Sequence, residues 1–229
     1  MELSVRDSAR LLNVSEKTIY RWIKQGRLPA YRVSEQYRFN RAELLEWATS
    51  ERINVSAEIF AEPHNGAPAS GLAEAFRAGG IYYRVSGSDK GQVLHAVVAL
   101  MPLPEQVDRQ FLLEVLLARE SLGSTAVGNG IALPHVRNPV VLHVPRPMVT
   151  LCFLEKPIEF GALDGMPVHT LFTLLSPTVR THLHTLACLS FALRQQEFSE
   201  MVRRQGSREE ILRACEAVDA RIPTPSSDG

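Results

Sequence analysis

MVTLCFL, residues 148–154, is a nearly continuous apolar run, and VHTLFTLL follows it at 168–175. Runs of this kind are typical of strands that are covered on both faces of a sheet. Helical patterns flank them: QVLHAVVALM (92–101) and EQVDRQFLLEVLLARE (105–120) come before, and THLHTLACLSFALRQQ (181–196) comes after. The alternation predicts an α/β fold in which a sheet is sandwiched between helices.

The helix over 105–120 is predicted to turn one apolar side toward the core. That side would hold Phe111, Leu112, Val115 and Leu116, with Arg119 at the helix end. The next segment, SLGSTAVGNG (121–130), is rich in glycine and small polar residues and is predicted to be a loop.

GNGIALPH, residues 128–135, ends in a histidine fixed by a preceding proline. Glycine adopts unusual dihedral angles, so backbone N–H groups in this loop can point at one small anion. Phosphoryl transfer requires mainly positioning and preorganised donors, and neutral imidazole is a nucleophile near pH 7. We therefore predict that His135 extends from the loop to carry a phosphoryl group. The predicted phosphate-binding residues are Ser124, Thr125, Gly128, Asn129 and Gly130.

Two further residues fit phosphoryl chemistry. His182 is predicted in the first turn of a helix, where exposed N–H groups favour an anion, and Arg119 offers a permanently charged guanidinium. An alternative is a zinc site made by His135, His182 and His184. No cysteine or carboxylate accompanies these histidines at ligand spacing, so neither a metal nor a cofactor is predicted.

LARESLGSTAVGNGIALPH (117–135), KPIEFGALDGMPV (156–168) and THLHTL (181–186) occur in this order. Together they resemble the type 2 enzyme IIA domain of the phosphoenolpyruvate-dependent sugar phosphotransferase system, fructose/mannitol and nitrogen-regulatory branch, over about residues 71–220. The resemblance implies a mixed sheet, and it implies that His135 accepts phosphate from a phosphohistidine carrier protein. His182 would orient or stabilise the group, and Arg119 would support the site. One difference from the family is Val136, since many relatives have a small residue after the histidine. The bulk of this valine would narrow the approach of a partner protein to His135.

The N-terminal segment is basic although the formal net charge of the chain is zero. Between residues 16 and 41 the only acidic residues are Glu16 and Glu35, against Lys17, Arg21, Lys24, Arg27, Arg32, Arg38 and Arg41. SEKTIYRWIKQG (15–26) predicts a helix that Ser15 caps and Gly26 ends. One side of that helix is apolar through Ile19, Trp22 and Ile23, and the opposite side gathers Lys17, Tyr20, Arg21 and Lys24.

The elements around this helix complete a small predicted domain. Ser4 and Asp7 predict a capping box for a first helix ending at Asn13, and Asn40 with Glu43 predicts another for a third helix. LPAYRV (28–33) and YRF (37–39) predict two strands of a wing.

SVRDSARLLNVSEKTIYRWIKQGRLPAYRVSEQYRFNRAELLEW (4–47) resembles the winged helix-turn-helix of excisionase-like and MerR-like DNA-binding families. The resemblance implies that Lys17, Thr18, Tyr20 and Arg21 face DNA, that Lys24 lies on the same face, and that Arg38 contacts phosphates. A domain of this size makes few phosphate contacts, so useful affinity would require a homodimer on two half-sites. The alternative is a solvated face on a small module for protein association.

The predicted order is a winged helix-turn-helix domain at 1–50, a linker at 51–70, an α/β/α sandwich at 71–222 and a flexible tail at 223–229. Cys152, Cys188 and Cys215 lie far apart in apolar surroundings, which predicts core thiols in a reducing compartment. No export signal and no membrane-spanning stretch are recognised. A cytoplasmic location is therefore expected.

One chain that combines a phosphorylatable domain with a DNA-binding domain suggests a regulator whose DNA binding depends on phosphotransferase flux. The alternative is a relay phosphotransferase that passes phosphate from the carrier to a separate IIB protein, with the N-terminal module used only for association. A docking module for other regulators is a third possibility. Regulation would require two states that differ in how they accommodate the added charge.

Overall fold

The computed structural model describes residues 2–33, 36–51, 53, 70–136 and 144–222. The chain divides into two compact units, one containing Met1–Ala67 and the other Pro68–Arg221. Most of the predicted linker and the predicted tail lie outside the described residues, and the exact domain boundaries stay predictions. None of the helices in the described ranges has the length and apolar content that a membrane crossing needs.

The first unit is a small α+β domain with a three-stranded antiparallel sheet in the order β1-β3-β2. Its elements are β1 (Glu2–Leu3), α1 (Val5–Leu11), α2 (Glu16–Lys24), β2 (Tyr31–Val33), β3 (Gln36–Asn40) and α3 (Arg41–Ser50). The predicted wing is confirmed as the antiparallel pair β2–β3. Strand β1 was not predicted, because two residues are too few to show an alternating pattern.

Local capping sets the helices of this unit. The Ser4 hydroxyl accepts from the Asp7 N–H at 3.2 Å in a capping box, and the Ser15 hydroxyl caps α2 by accepting from the Thr18 N–H at 3.2 Å. Gly26 has a φ of +67° and follows the end of α2. The predicted end of α1 at Asn13 is two residues late, because Asn13 itself adopts a left-handed φ of 51°.

The second unit has a five-stranded mixed sheet in the order β4-β7-β8-β6-β5. Strand β4 is parallel to β7 and β6 is parallel to β8, whereas β7–β8 and β5–β6 are antiparallel. The strands are β4 (Ile81–Val85), β5 (Ala126–Gly128), β6 (Ile131–Ala132), β7 (Met148–Ile158) and β8 (Val168–Leu175). The helices are α4 (Leu72–Gly79), α5 (Lys90–Leu100), α6 (Arg109–Ser121), α7 (Val179–Arg194), α8 (Gln196–Arg203) and α9 (Arg208–Asp219).

Helices cover both faces of this sheet, as predicted. Cys152 and Leu171 are register partners on β7 and β8, and both belong to the core cluster that contains the buried residues of α5 and α6. Phe172 lies on the opposite face, where its ring contacts Phe76 of α4 at 6.0 Å. The two apolar runs are therefore buried on both sides, which explains their continuous hydrophobicity.

Three local predictions differ from the structure. Phe111 is 43% exposed and Leu113 is buried instead, because the buried stripe of α6 follows Leu112, Leu116 and Glu120, and Leu113 lies on its inner side. The predicted loop 121–130 contains most of a β-hairpin, in which Asn129 (φ 54°) and Gly130 (φ 72°) form the left-handed turn. Helix α7 begins at Val179 instead of Thr181, because the Thr178 hydroxyl caps it.

Candidate functional site

His135 lies in line with β6 and forms a parallel bridge with Leu174 of β8. Leu174 shares a sheet face with Phe172, so His135 is directed to that face, which the start of α7 also covers. Val136 points the other way and is 2% exposed in the core with α5 and α6. The prediction that Val136 narrows a partner's approach is therefore wrong, because side chains alternate along an extended segment.

The imidazole of His135 is held in one orientation. Its Nδ1 lies 2.8 Å from the carbonyl oxygen of Leu133. A carbonyl oxygen only accepts hydrogen bonds, so Nδ1 carries the proton, and a neutral ring then has its lone pair on Nε2. The His182 ring lies alongside, with its centroid 5.2 Å from that of His135 and its plane tilted by 38°. The structure thus brings together two of the predicted residues.

Both rings are buried: His135 is 4% exposed and His182 is 1% exposed. This finding contradicts the prediction that His135 extends from the loop. The reason is the strand pairing with β8, which carries the histidine beneath the first turns of α7. The backbone N–H of His182 donates to the Thr178 carbonyl oxygen at 3.0 Å. This N–H is therefore not available to bind an anion, contrary to the prediction.

Arg119 lies in the last turn of α6 and is half-buried. Its Nη1 donates to the Gly123 carbonyl oxygen at 3.0 Å, which ties the guanidinium to the segment that leads into β5. This contact holds a permanent positive charge beside the start of the hairpin. Its role beside His135 stays a prediction.

Several donors predicted to bind phosphate are used inside the protein. Ser124 Oγ donates to the Phe160 carbonyl oxygen at 2.6 Å, and Asn129 N donates to Asp164 Oδ2 at 2.8 Å. Thr125 donates twice to Glu120, from its N–H at 3.0 Å and from its hydroxyl at 2.7 Å. These contacts indicate a structural role for the four groups in the described conformation.

The glycine turn is not brought to His135. Ile131 pairs with Thr170 and His135 with Leu174 in one register, so the chain between them is extended. His135 lies five positions after Gly130, which is roughly 16 Å at about 3.3 Å per residue. Gly130 is required for another reason, since a Cβ there would lie 2.4 Å from the His169 ring.

Glu120 is the residue near this site that the sequence did not reveal. It is 5% exposed and accepts both donors of Thr125, and its Oε1 lies 3.1 Å from Lys90 Nζ. A glutamate at a helix end is ordinarily exposed, so nothing in the sequence pattern indicated that Glu120 is buried. Glu120 links α5, α6 and the entry into β5.

The basic face predicted on α2 is present in the first unit. Lys17, Tyr20, Arg21 and Lys24 are exposed, whereas Thr18 is half-buried with its hydroxyl 3.0 Å from that of Ser15. The ring of Tyr20 contacts that of Tyr37 on β3 at 6.2 Å, so the wing adjoins this face. Arg38 on the same strand donates to Gln36 at 2.8 Å. The positive charge of this surface comes from Lys17, Arg21 and Lys24, whereas Arg38 is adjacent to Tyr37 on β3 and its side chain therefore points to the other face of the strand.

The three cysteines lie on β7, α7 and α9, and all three are buried, as predicted. Burial raises the pKa of Cys152 to about 12 and raises those of Cys188 and Cys215 as well. Across the described residues no group of three or more His, Cys, Asp or Glu is placed to hold a metal ion.

The family described as phosphoenolpyruvate-dependent sugar phosphotransferase system, EIIA 2, matches residues 74–218. The chain belongs to this family. A helix-turn-helix domain matches residues 2–52, so the EIIA 2 region follows a second recognised domain. Both resemblances drawn from the sequence are confirmed.

The EIIA 2 region has close relatives among nitrogen regulatory proteins. It is 41% identical over 115 residues to the nitrogen regulatory protein of Pseudomonas aeruginosa, covering 49% of this chain and 72% of that protein. Identity to the Escherichia coli nitrogen regulatory protein is 35% over 130 residues, covering 56% of this chain and 78% of the relative.

Solved structures share this fold. The crystal structure of nitrogen regulatory protein IIA-Ntr from Neisseria meningitidis matches with a TM-score of 0.52 and 28% identity, covering 63% of this chain and 94% of that one. A PTS IIA (PtxA) from Streptococcus mutans matches with a TM-score of 0.52 at 19% identity, covering 66% of this chain and 96% of that one. The latter similarity supports the fold alone.

Proposed function

We propose that His135 accepts a phosphoryl group on Nε2 from a phosphohistidine carrier protein, and that this modification controls DNA binding by the N-terminal unit. The observation that carries the proposal is the contact between His135 Nδ1 and the Leu133 carbonyl, beside His182. The proposed location is the cytoplasm, where the three free thiols stay reduced. The proposed DNA-bound form is a homodimer on two half-sites.

The chemistry follows from the tautomer. The lone pair of Nε2 attacks the phosphorus of the carrier's phosphohistidine, so that a new N–P bond forms as the carrier's N–P bond breaks. The bonding electron pair returns to the carrier's imidazole, and the PO3 unit moves between the two nitrogens. As Nε2 of His135 gains positive character, the Leu133 carbonyl stabilises the Nδ1–H. The His182 ring, whose centroid is 5.2 Å from that of His135, is proposed to donate to a phosphoryl oxygen, and Arg119 is proposed to add a fixed charge.

The burial of His135 adds a requirement to this mechanism. At 4% exposure, Nε2 cannot meet a carrier protein until neighbouring groups move aside. Transfer is therefore proposed to follow a local opening, and reclosure would protect the phosphohistidine from water. Slow loss of the phosphoryl group would suit a regulator better than a relay.

Phosphorylation of His135 is the first test. The full chain would be incubated with phosphoenolpyruvate, enzyme I and the carrier, and acid-labile phosphate located by mass spectrometry and ³¹P NMR. We expect one phosphoryl group on wild type, none on His135→Ala, and transfer slowed about 10²-fold or more in His182→Ala.

The matched control is His184→Ala, since His184 lies on the same helix with its Nε2 3.5 Å from the Cys188 thiol. It should be phosphorylated at the wild-type rate. Undiminished acid-labile phosphate on His135→Ala would sink the proposal. Rapid onward transfer to a IIB cysteine would instead favour the relay.

A further inference from the structure

Ser176 is a fully buried serine at the point where β8 leads into α7. Its hydroxyl has no hydrogen-bond partner in the part of the chain that the structure describes. Burying a hydroxyl without a partner costs free energy, so the large majority of buried polar groups in native proteins are paired. An unpaired buried hydroxyl is therefore unusual, and its position in the fold indicates how it is used.

The strand register places Ser176 on the same face of the sheet as His135. The Leu174 N–H donates to the Pro134 carbonyl oxygen at 2.9 Å, and Leu174 and His135 are partners in a parallel bridge. Pro177 restricts the residue before it to extended conformations, so the alternation of side chains along β8 continues through Ser176. The Ser176 side chain therefore projects to the side that holds Leu174 and His135.

Ser176 lies close enough to His135 for both side chains to contact one phosphoryl group. It is two positions beyond Leu174, which gives about 8 Å between its Cα and that of His135, for strands about 4.8 Å apart and about 3.3 Å per residue. A phosphorylated imidazole is long enough to bring its oxygens within reach of a serine hydroxyl at this separation. Helix α7 begins at Val179 and places the His182 ring 5.2 Å from the His135 ring, so the chain that leaves Ser176 returns across the histidine.

A phosphoryl group on His135 needs hydrogen-bond donors, and the hydroxyls predicted for this purpose are used elsewhere. Ser124 and Thr125 both donate to acceptors within the protein. Phosphoryl oxygens are negatively charged and accept strong, charge-assisted hydrogen bonds. The Ser176 hydroxyl would gain an acceptor only in the phosphorylated protein, and it would therefore favour that state over the unphosphorylated one.

We propose that Ser176 Oγ donates a hydrogen bond to the phosphoryl group carried by His135 and so stabilises the phosphohistidine. This role rests on the proposed phosphorylation of His135 and adds a residue that touches the transferred group. The hydroxyl keeps its hydrogen throughout, while the PO3 unit moves between the two imidazole nitrogens. Ser176 therefore acts on the equilibrium between carrier and acceptor and on the lifetime of the phosphohistidine.

The test compares wild type with Ser176→Ala, which removes the hydroxyl and changes the side-chain volume little. Each full-length protein would be mixed with the phosphorylated carrier protein, and the ratio of phosphorylated forms measured by mass spectrometry. In Ser176→Ala we expect the transfer equilibrium to shift about tenfold toward the carrier, because one donor to a charged acceptor is lost. The phosphohistidine should also hydrolyse faster, and its ³¹P chemical shift should change.

The stability of unphosphorylated Ser176→Ala separates this role from a structural one. The hydroxyl has no partner among the described residues, so its removal leaves no donor or acceptor unsatisfied there. Urea unfolding should therefore give a midpoint equal to that of wild type or higher.

The matched control is Thr173→Val, which removes a second hydroxyl from β8 at nearly constant volume. Thr173 is also fully buried, and its hydroxyl likewise finds no partner within the described ranges. It shares the opposite face with Leu171 and Leu175, in the core that contains residues of α5 and α6. Its transfer equilibrium and ³¹P chemical shift should equal those of wild type.

Wild-type values in Ser176→Ala overturn the role of Ser176 and leave the phosphorylation of His135 intact. Equal losses in Ser176→Ala and Thr173→Val assign both hydroxyls to the packing of the sheet, which also overturns it. If wild type accepts no phosphoryl group, the proposed function fails and the role of Ser176 fails with it.

Discussion

Glu120 shows how a single buried carboxylate can organise the approach to His135. It accepts the N–H and the hydroxyl of Thr125 and pairs with Lys90 Nζ, whose charge also lies 4.7 Å from the centre of the Phe160 ring. Thr125 in turn accepts, through its carbonyl, from Leu133, whose own carbonyl holds His135. A chain of hydrogen bonds therefore connects α5 to the orientation of the histidine.

Glu120→Ala should destabilise the fold by about 2–4 kcal/mol, because it leaves Thr125 and Lys90 without the carboxylate in a buried setting. Urea unfolding followed by circular dichroism measures the loss. The control is Glu114→Ala on the exposed side of the same helix, expected within about 0.5 kcal/mol of wild type. Equal stabilities of the two variants would contradict a structural role for Glu120.

At the scale of elements, α2 and the wing form one surface because of a tyrosine contact. Tyr20 on α2 and Tyr37 on β3 meet edge to face, while Ile19 on the other side of the helix is fully buried. The apolar side of α2 thus anchors the helix and leaves the basic side exposed. This is the arrangement needed for a helix that enters a major groove.

Arg21→Gln should weaken binding to a DNA site selected from a random library by about five- to tenfold near 0.1 M salt. It should also lower the slope of log K against log salt by about 1, because one phosphate contact is lost. Fluorescence anisotropy across a salt series measures both quantities.

The control for this prediction is Arg27→Gln. Arg27 lies after the end of α2. It is also exposed, and its guanidinium forms an ion pair with Glu51. Its affinity for DNA should change less than twofold. A loss of the same size in both variants would point to general charge attraction and against a recognition helix.

At the scale of the whole molecule, the chain joins an EIIA 2 domain to a helix-turn-helix domain. Phosphorylation adds a charge of about −1.5 to −2, and it shifts an equilibrium only if two states accommodate that charge differently. The burial of His135 offers such a difference, because the groups that cover the ring must move aside when Nε2 carries a phosphoryl group.

The affinity of the wild-type protein for DNA should therefore differ between the phosphorylated and unphosphorylated forms. A coupling of about 1–3 kcal/mol corresponds to a 5- to 150-fold change, which a gel-shift titration resolves. His135→Ala should show one affinity whether or not the carrier system is present. If wild type also shows one affinity, DNA binding is not regulated through this histidine.

The limits of prediction from sequence are clearest around His135. The string GNGIALPH indicated the family and predicted His135 as the phosphoryl acceptor, yet the glycine turn lies five positions before His135 in an extended segment and contacts His169 instead. The hairpin was missed because β5 and β6 have only three and two residues. Phe111 was assigned to the core because it is apolar and adjoins the apolar stripe of α6, and the sequence does not show which edge of that stripe the sheet covers.

What the sequence determined by itself is local: the caps at Ser4 and Ser15, the stop at Gly26, the two doubly buried strands and the motifs of the family. These depend on neighbouring residues, so they can be recognised without a fold. Only the tertiary structure decided that His135 is buried against His182 and that Glu120 takes the donors of Thr125. Those outcomes depend on the pairing of β6 with β8 and the packing of α7, contacts between segments distant in the chain that no local pattern encodes.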